Sequence, residues 1–431
     1  MLAKVYTENY RNLQDGVISL RNRKGAVKQF IFLFGENGVG KSSFVDLFAF
    51  LKQSCNALYY NSRVIQMTKE TPLFNLKEAA LQNLRMGSNQ NHVLIYELVF
   101  NRDHYDYQLR LSPEGNIVSE SLFRRAHNEY HVVFSATETG LYIDEKLLSQ
   151  RNREIVERYY HDYGQDYTVL SIFYFAERSE KIRVKKSLRE LLRKCGRIHI
   201  QSDELHHVEY QNIIEDFGVS SSHGYAQEDL VHFYKASSIV ISEIVKSIYP
   251  QVDHVRYEFK REGSMLTYKL VTYMNTGDGV QKAHDCHLPS SYKEVLDFCT
   301  VFLDSYVGNT VVYDNVGRNF SPETLKYLLG KILKRATGQA IFTLNYPTLL
   351  NYVDSHYIYV FQKEDSYAKI SSLEDIETIR ENHNIRKRYE SGVYDQFNPV
   401  FPDYNHYRLM EWFDKHVELF VKKSNGLISE K

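Results

Sequence analysis

Eight consecutive residues, Gly35-Glu36-Asn37-Gly38-Val39-Gly40-Lys41-Ser42, have the types and spacing G-x-x-x-x-G-K-[ST] that hold a phosphate group. Glycines let the backbone curl until successive N–H groups point inward, and a helix that starts here adds its positive end. Lys41 is placed to hold β- and γ-phosphates as a point charge, and the Ser42 hydroxyl to ligate Mg²⁺. With Ser43 added, residues 35–43 are the candidate nucleotide-binding set. Such a site needs a second half, a carboxylate at the end of a neighbouring buried strand. Thr310-Val311-Val312-Tyr313-Asp314 supplies one, an apolar run ending in an acid that could reach the same Mg²⁺. Apolar strands also end in Asp at ordinary turns, so it is the phosphate loop that lends Asp314 its meaning.

The elements that must position these residues are legible as patterns. Gln29 to Phe34 is a continuous apolar run, as a strand covered on both faces would be. After the loop, Phe44, Leu47, Phe48 and Leu51 recur at the spacing of a helix with one buried face. Two short strands are expected before them, and a period-two antiparallel meander from residue 92 to about 135. Residues 144 to about 248 read as mainly helical. Two strands follow at 255–260 and 265–273, then an alternation of helices (292–306, 322–335, 346–353) with strands (310–313, 339–343, 356–362). That alternation predicts a parallel α/β sheet, begun at residue 29 and completed after residue 308. The predicted organisation is an N-terminal half with loop and meander (1–143), a helical insertion (144–250) and a C-terminal half (251–431).

The opening Glu8-Asn9-Tyr10-Arg11-Asn12-Leu13, and the loop followed by Ser43-Phe44-Val45-Asp46-Leu47, resemble the RecF/SMC/ABC-type P-loop ATPases. Within that superfamily the sequence is similar to bacterial abortive-infection (AbiL-like) AAA family ATPases. The likeness runs through Tyr96-Glu97-Leu98-Val99-Phe100, Tyr105-Asp106-Tyr107 and Ile117-Val118-Ser119-Glu120-Ser121-Leu122 to Arg388-Tyr389-Glu390-Ser391-Gly392-Val393-Tyr394. The resemblance implies an α/β P-loop NTPase (ABC/RecF-like) head with an antiparallel β lobe and an inserted helical lobe. It also implies ATP and Mg²⁺ as cofactors, a head-to-tail homodimer, and a role in anti-phage defence with an effector protein, a nuclease or toxin, in trans. A RecF-like DNA-binding ATPase of repair or maintenance is the alternative.

Three positions depart from that family. Where its members pair the Mg²⁺-binding Asp with a Glu, this chain has Asn315, and an amide cannot take a proton at neutral pH. The family's switch histidine lines up with Asn345 in Thr343-Leu344-Asn345-Tyr346-Pro347. The signature loop, which contacts the γ-phosphate from a partner subunit, resembles Pro289-Ser290-Ser291-Tyr292 without its glycine. Slow or impaired hydrolysis is the expectation, with Lys41, Asp314, Asn315 and Asn345 at the reacting end and Ser290 and Ser291 reaching across the interface.

Composition narrows the field further. Lys and Arg number 53 against 54 Asp and Glu, a formal charge of −1, so any basic site must be local. Such a site is offered by Arg178, Lys181, Arg183, Lys185, Lys186 and Arg189, which could meet nucleic acid or an acidic partner, or form a solvated helix face. His284-Asp285-Cys286-His287 has metal-capable types but no second ligand pair. The four cysteines lack paired spacing, no run approaches the ~18 apolar residues of a membrane span, and the opening lacks the apolar block of a secretory signal, so a cytoplasmic protein is expected.

Overall fold

The computed structural model describes residues 1–36, 38–68, 75–100, 103–126, 129–179, 182–202, 223–226, 228, 231–262, 265–284, 288–364, 367–380, 383–394, 410–413, 415 and 417. Met1–Phe397 forms one compact unit and Asn398–Lys431 a second, whose residues 410–413 are helical.

The parallel sheet is the frame of the first unit. Its strands are β3 (Phe30–Phe34), β9 (His199–Gln201), β14 (Val311–Tyr313), β15 (Ala340–Leu344), β16 (Ile358–Glu364) and β17 (Tyr367–Ser372), in the order β17-β16-β3-β15-β14-β9. All neighbours pair parallel except β17, which returns antiparallel along β16. Alternation along β3 divides the interior: Ile31 and Leu33 enter one core, and Phe30, Phe32 and Phe34 the other. Burial on both faces is why this strand reads as unbroken apolar sequence. The sheet begun near residue 29 is indeed completed after residue 308. It also recruits β9 from the stretch expected to be helical, a three-residue strand too short to show a period.

A seven-stranded antiparallel sheet stands beside it. It joins β1 (Leu2–Glu8) and β2 (Gly16–Ser19) to β4 (His92–Phe100), β5 (Asp103–Leu111), β6 (Ile117–Ala126), β7 (Glu129–Thr137) and β8 (Gly140–Ile143), in the order β2-β1-β4-β5-β6-β7-β8. The opening strands thus extend the meander. Gln339, fully buried, ties the two sheets: its amide accepts from Leu2 N (2.8 Å) and donates to Leu2 O (2.9 Å) and Lys28 O (3.1 Å). A smaller sheet holds β10 (His223–Ala226), β11 (Val252–Glu262), β12 (Met265–Thr276) and β13 (Gly279–Lys282).

Helix α1 (Lys41–Thr68) follows the loop and buries Phe44, Leu47, Phe48 and Leu51 as its spacing predicts. After α2 (Leu76–Asn83), the inserted helices are α3 (Gln150–Tyr163), α4 (Val169–Ser179) and α5 (Lys186–Gly196), followed by α6 (Val231–Lys246). Then come α7 (Ser290–Tyr306) and α8 (Pro322–Arg335). Ser321 caps α8 by accepting from Thr324 N at 3.2 Å, Pro322 opens it, and Lys334 and Arg335 face its negative end. The helix expected at 346–353 is instead a short 3₁₀ turn, Pro347–Asn351.

Glu120 on β6 pins the meander to the helices. Its carboxylate accepts from Val169 N (2.6 Å) and Leu170 N (3.0 Å) at the start of α4 and from the Tyr107 hydroxyl (3.0 Å). Burial pushes its pKa up to about 7, and the three donors only partly offset this. Because the folded value lies above the unfolded one, folding is favoured below pH ~4.5 and that advantage is lost as pH rises toward 7, a span worth about 3 kcal/mol. Urea unfolding of the wild type and Glu120→Gln at pH 5 and pH 8 is expected to show the stability difference moving by roughly 2–3 kcal/mol in the variant's favour at the higher pH. An unchanged difference would contradict this.

Candidate functional site

Parallel strands present their C-terminal ends at one edge of a sheet, and ligands of such sheets bind there. β3 ends at the glycine loop, β14 ends at Asp314, and β15 lies between them with Thr343 and Asn345 at its own end. At the usual strand spacing the two halves stand ~10 Å apart. One cavity of about 670 Å³ spans that edge, lined by Gly38, Gly40, Lys41, Ser42 and Ser43 on one side and by Asp314 and Asn315 on the other.

The loop has the shape its glycines allow. Gly38 and Gly40 take φ of 81° and 110°, and a Cβ on Gly40 would lie 2.9 Å from the Asn12 side chain. Asn12 in turn accepts the Ser43 hydroxyl at 2.8 Å. A Cβ on Gly35 would meet Phe361 and Val39 at 2.7 and 2.8 Å, so close packing accounts for that glycine. The Lys41 ammonium donates to the carbonyls of Gly35 (2.8 Å) and Glu36 (2.9 Å), inside the loop it is expected to serve. Asn37 lies outside the described residues.

Across the cavity, the Thr343 hydroxyl donates to Asp314 Oδ1 at 2.5 Å and accepts the Asn315 N–H at 2.7 Å. Ser202, just past β9, donates to Asp314 Oδ2 at 3.2 Å. Asn315 takes a left-handed φ of 52°, a region that Asn tolerates better than most residues. Its Oδ1 accepts from the Asn345 amide at 2.6 Å, and the Asn345 Oδ1 is buried with no hydrogen-bond partner among the described residues. The structure therefore brings together Lys41, Ser42, Asp314, Asn315 and Asn345. Ser291 does not join them: its hydroxyl meets the Tyr249 hydroxyl at 2.6 Å, and the Ser290 side chain lies outside the described residues.

Sequence reasoning missed several residues. Thr343 orders Asp314 and Asn315 together, and only its place at a strand end hinted at this. Glu294 on α7 accepts from Gly317 N (2.8 Å) and Asn319 N (3.0 Å), holding the loop after Asp314. At the far end of the cavity Arg85 lies 4.2 Å over the Tyr367 ring and donates to Asp15 at 2.8 Å and to Leu13 O at 2.6 Å. Nothing in the local sequence links Arg85 to Tyr367, since they meet only through the fold.

Residues 30–191 match the model of a family described as AAA domain, putative AbiEii toxin, type IV TA system. That stretch, which holds the glycine loop and the first four strands of the meander, is similar to the AAA domains of that family. No curated protein matches the sequence. Among solved structures this chain is similar to an Smc head bound to the C-winged helix domain of ScpA, at 12% identity over 87% of this chain and 98% of that one, TM-score 0.48. It is also similar to the Pyrococcus furiosus Smc head with an extended coiled coil, bound to the C-terminal domain of ScpA (12% identity, 87% and 97% covered, TM-score 0.44). The Thermotoga maritima SMC head domain is a third such structure (11%, 86% and 98%, 0.39).

The basic run is only partly free to meet a partner. Arg183, Lys185 and Lys186 are exposed, whereas Arg178 turns inward over Tyr174 (5.3 Å) and Arg189 pairs with Glu177 at 2.9 Å. Lys181 lies outside the described residues, as do Asp285, Cys286 and His287 of the metal-capable quartet. Among the described residues, no helix is long and apolar enough to cross a membrane.

Thr343→Val removes a donor to a buried carboxylate and an acceptor for a buried N–H, and is expected to cost about 2 kcal/mol of unfolding free energy in denaturant titrations. Thr343→Ser, which keeps the hydroxyl, is expected to lose less than half as much; equal losses would contradict the bridging role.

Proposed function

We infer that this chain binds ATP·Mg²⁺ and works as a nucleotide-dependent switch whose hydrolysis is slow. The observation that carries the reading is the single cavity lined by Lys41, Ser42 and Asp314, residues distant in sequence. The chain fits the cofactor on two counts. Gly38 and Gly40 hold the positive φ that an inward-curled loop needs and that other residues rarely adopt, and the Asp314 carboxylate, braced by two hydroxyls, is the donor type a hard cation takes. Loop N–H groups and Lys41 would hold the phosphates, while Ser42 and Asp314 would hold the metal, which when bound neutralises charge on the phosphates. Arg85, Met86 and Tyr367, at the end of the cavity away from Asp314, would face the nucleoside.

Asn315 and Asn345 occupy the place where a general base would act. Their amides bond to each other, and Asn315, which lines the cavity, can hold a water by hydrogen bonds, but neither amide takes its proton. Lys41→Ala is expected to weaken ATP binding at least 30-fold by equilibrium titration. Phosphate release by the wild type is expected below about 1 s⁻¹, with less than a threefold change in Asn315→Ala. Turnover at or above that rate that collapses in Asn315→Ala would overturn the impaired-hydrolysis reading.

Occupancy then biases one conformation over another, which requires only that the two states bind nucleotide unequally. A head-to-tail homodimer would bring the start of α7, with Ser290 and Ser291, to the partner's nucleotide. For Ser291 this means leaving Tyr249, a contact ATP would have to compete with. The matched family's description as a putative AbiEii toxin of a type IV TA system supports a defence role, and the same proposal has an effector held or released in trans.

A further inference from the structure

Helix α8 carries a second feature on the far side of its cap. A groove of about 630 Å³ runs along it, lined by Lys326, Tyr327, Lys331, Lys334 and Arg335 and by Tyr352 from the segment after β15. It shares no lining residue with the cavity of Lys41. Glu323 is the one acid among its lining residues, against four cations. None of those cations has a carboxylate partner among the described residues, in a chain whose formal charge is only −1. The aromatic rings are open: Tyr327 is 41% and Tyr352 55% exposed. Each has an ammonium on its face, Lys326 at 4.0 Å from the Tyr352 ring centre and Lys331 at 4.7 Å from that of Tyr327.

We propose that this groove binds single-stranded nucleic acid, with bases stacked on Tyr327 and Tyr352 and phosphates met by Lys326, Lys331, Lys334 and Arg335. Unpaired cations supply the attraction to a polyanion, and open tyrosine faces supply the stacking platform that a single strand offers its bases to and a duplex does not. The cation–π contacts are the resting arrangement of the same parts. When a base takes the ring face, the displaced ammonium turns to the adjoining phosphate, exchanging one electrostatic partner for a stronger one. Length favours a strand over a lone nucleotide: from Lys326 to Arg335 the helix advances ~13 Å, more than one phosphate needs. Charge alone would suit an acidic protein equally, but that occupant has no use for the two rings.

The test is fluorescence anisotropy of the full chain with a labelled 12-nucleotide thymidine strand, titrated with salt. Lys331→Ala/Lys334→Ala/Arg335→Ala is expected to weaken binding at least tenfold and to lower the salt slope by about 2. Tyr327→Leu/Tyr352→Leu is expected to weaken binding about 5- to 30-fold with the slope unchanged. All five residues are exposed, so circular dichroism should confirm an intact fold. The proposal is overturned by absence of binding at low salt, or by loss confined to Arg183→Ala/Lys185→Ala/Lys186→Ala, which would put the strand on α5. It is equally overturned if thymidine monophosphate competes as well as the strand, or if polyglutamate displaces the probe and the tyrosine variants bind normally.

Discussion

Three adjacent parallel strands, β3, β15 and β14, set the constraint on which the site depends. Because they run the same way, whatever ends each of them arrives at one edge: a glycine loop, a threonine and asparagine, an aspartate. The register pairs Tyr313 with Phe342, so Asp314 comes level with Thr343, and the 2.5 Å hydrogen bond between them follows from the pairing. Slipping β14 by one residue would turn Val311 and Tyr313 out of one core, Val312 out of the other, and carry the carboxylate away from the loop. Packing on both faces of the sheet thus fixes the chemistry at its rim.

The parts of this site legible in the sequence are those whose physics is local. Glycines spaced around Lys41 and Ser42, an apolar strand before them and an amphipathic helix after them all act within about twenty residues, so pattern suffices. Asp314 was legible at second hand, through the apolar run that precedes it. The parts that escaped depend on what meets in space. β9 is a strand only because β14 offers it hydrogen bonds; Arg85 and Tyr367 converge through a turn after α2 and a strand at the sheet's far edge. The stretch at 346–353, expected to be a helix, is only a short 3₁₀ turn at Pro347–Asn351, in keeping with Thr348, Asn351 and Val353, which are weak helix formers. The two halves of the sheet, separated by the meander and the inserted helices, could still be joined from the sequence, because the alternation of helices and strands after residue 292 needs a parallel partner and the apolar run at 29–34 supplies it.

Two amides, Asn315 and Asn345, stand just past the ends of β14 and β15, and the structure gives them a coherent arrangement. Asn315 sits in a left-handed turn that suits its side chain, bonded to Asn345 and through its backbone to Thr343. A Glu at that φ would carry a backbone cost of the order of 1 kcal/mol, so the local conformation and the amide belong together. The pair retains the capacity to hold a water and gives up the capacity to accept its proton. The glycine loop across the cavity from this pair is what the proposed switch would use to respond to a nucleotide without consuming it quickly.

The central claim is that the loop after β3 and the acid after β14 share one magnesium ion. Equilibrium ATP binding measured with and without Mg²⁺ in the wild type and in Asp314→Ala tests it directly. The account predicts that Mg²⁺ tightens binding in the wild type and that this gain largely disappears in Asp314→Ala, with metal-free binding little changed. A gain from Mg²⁺ of the same size in both proteins would contradict it.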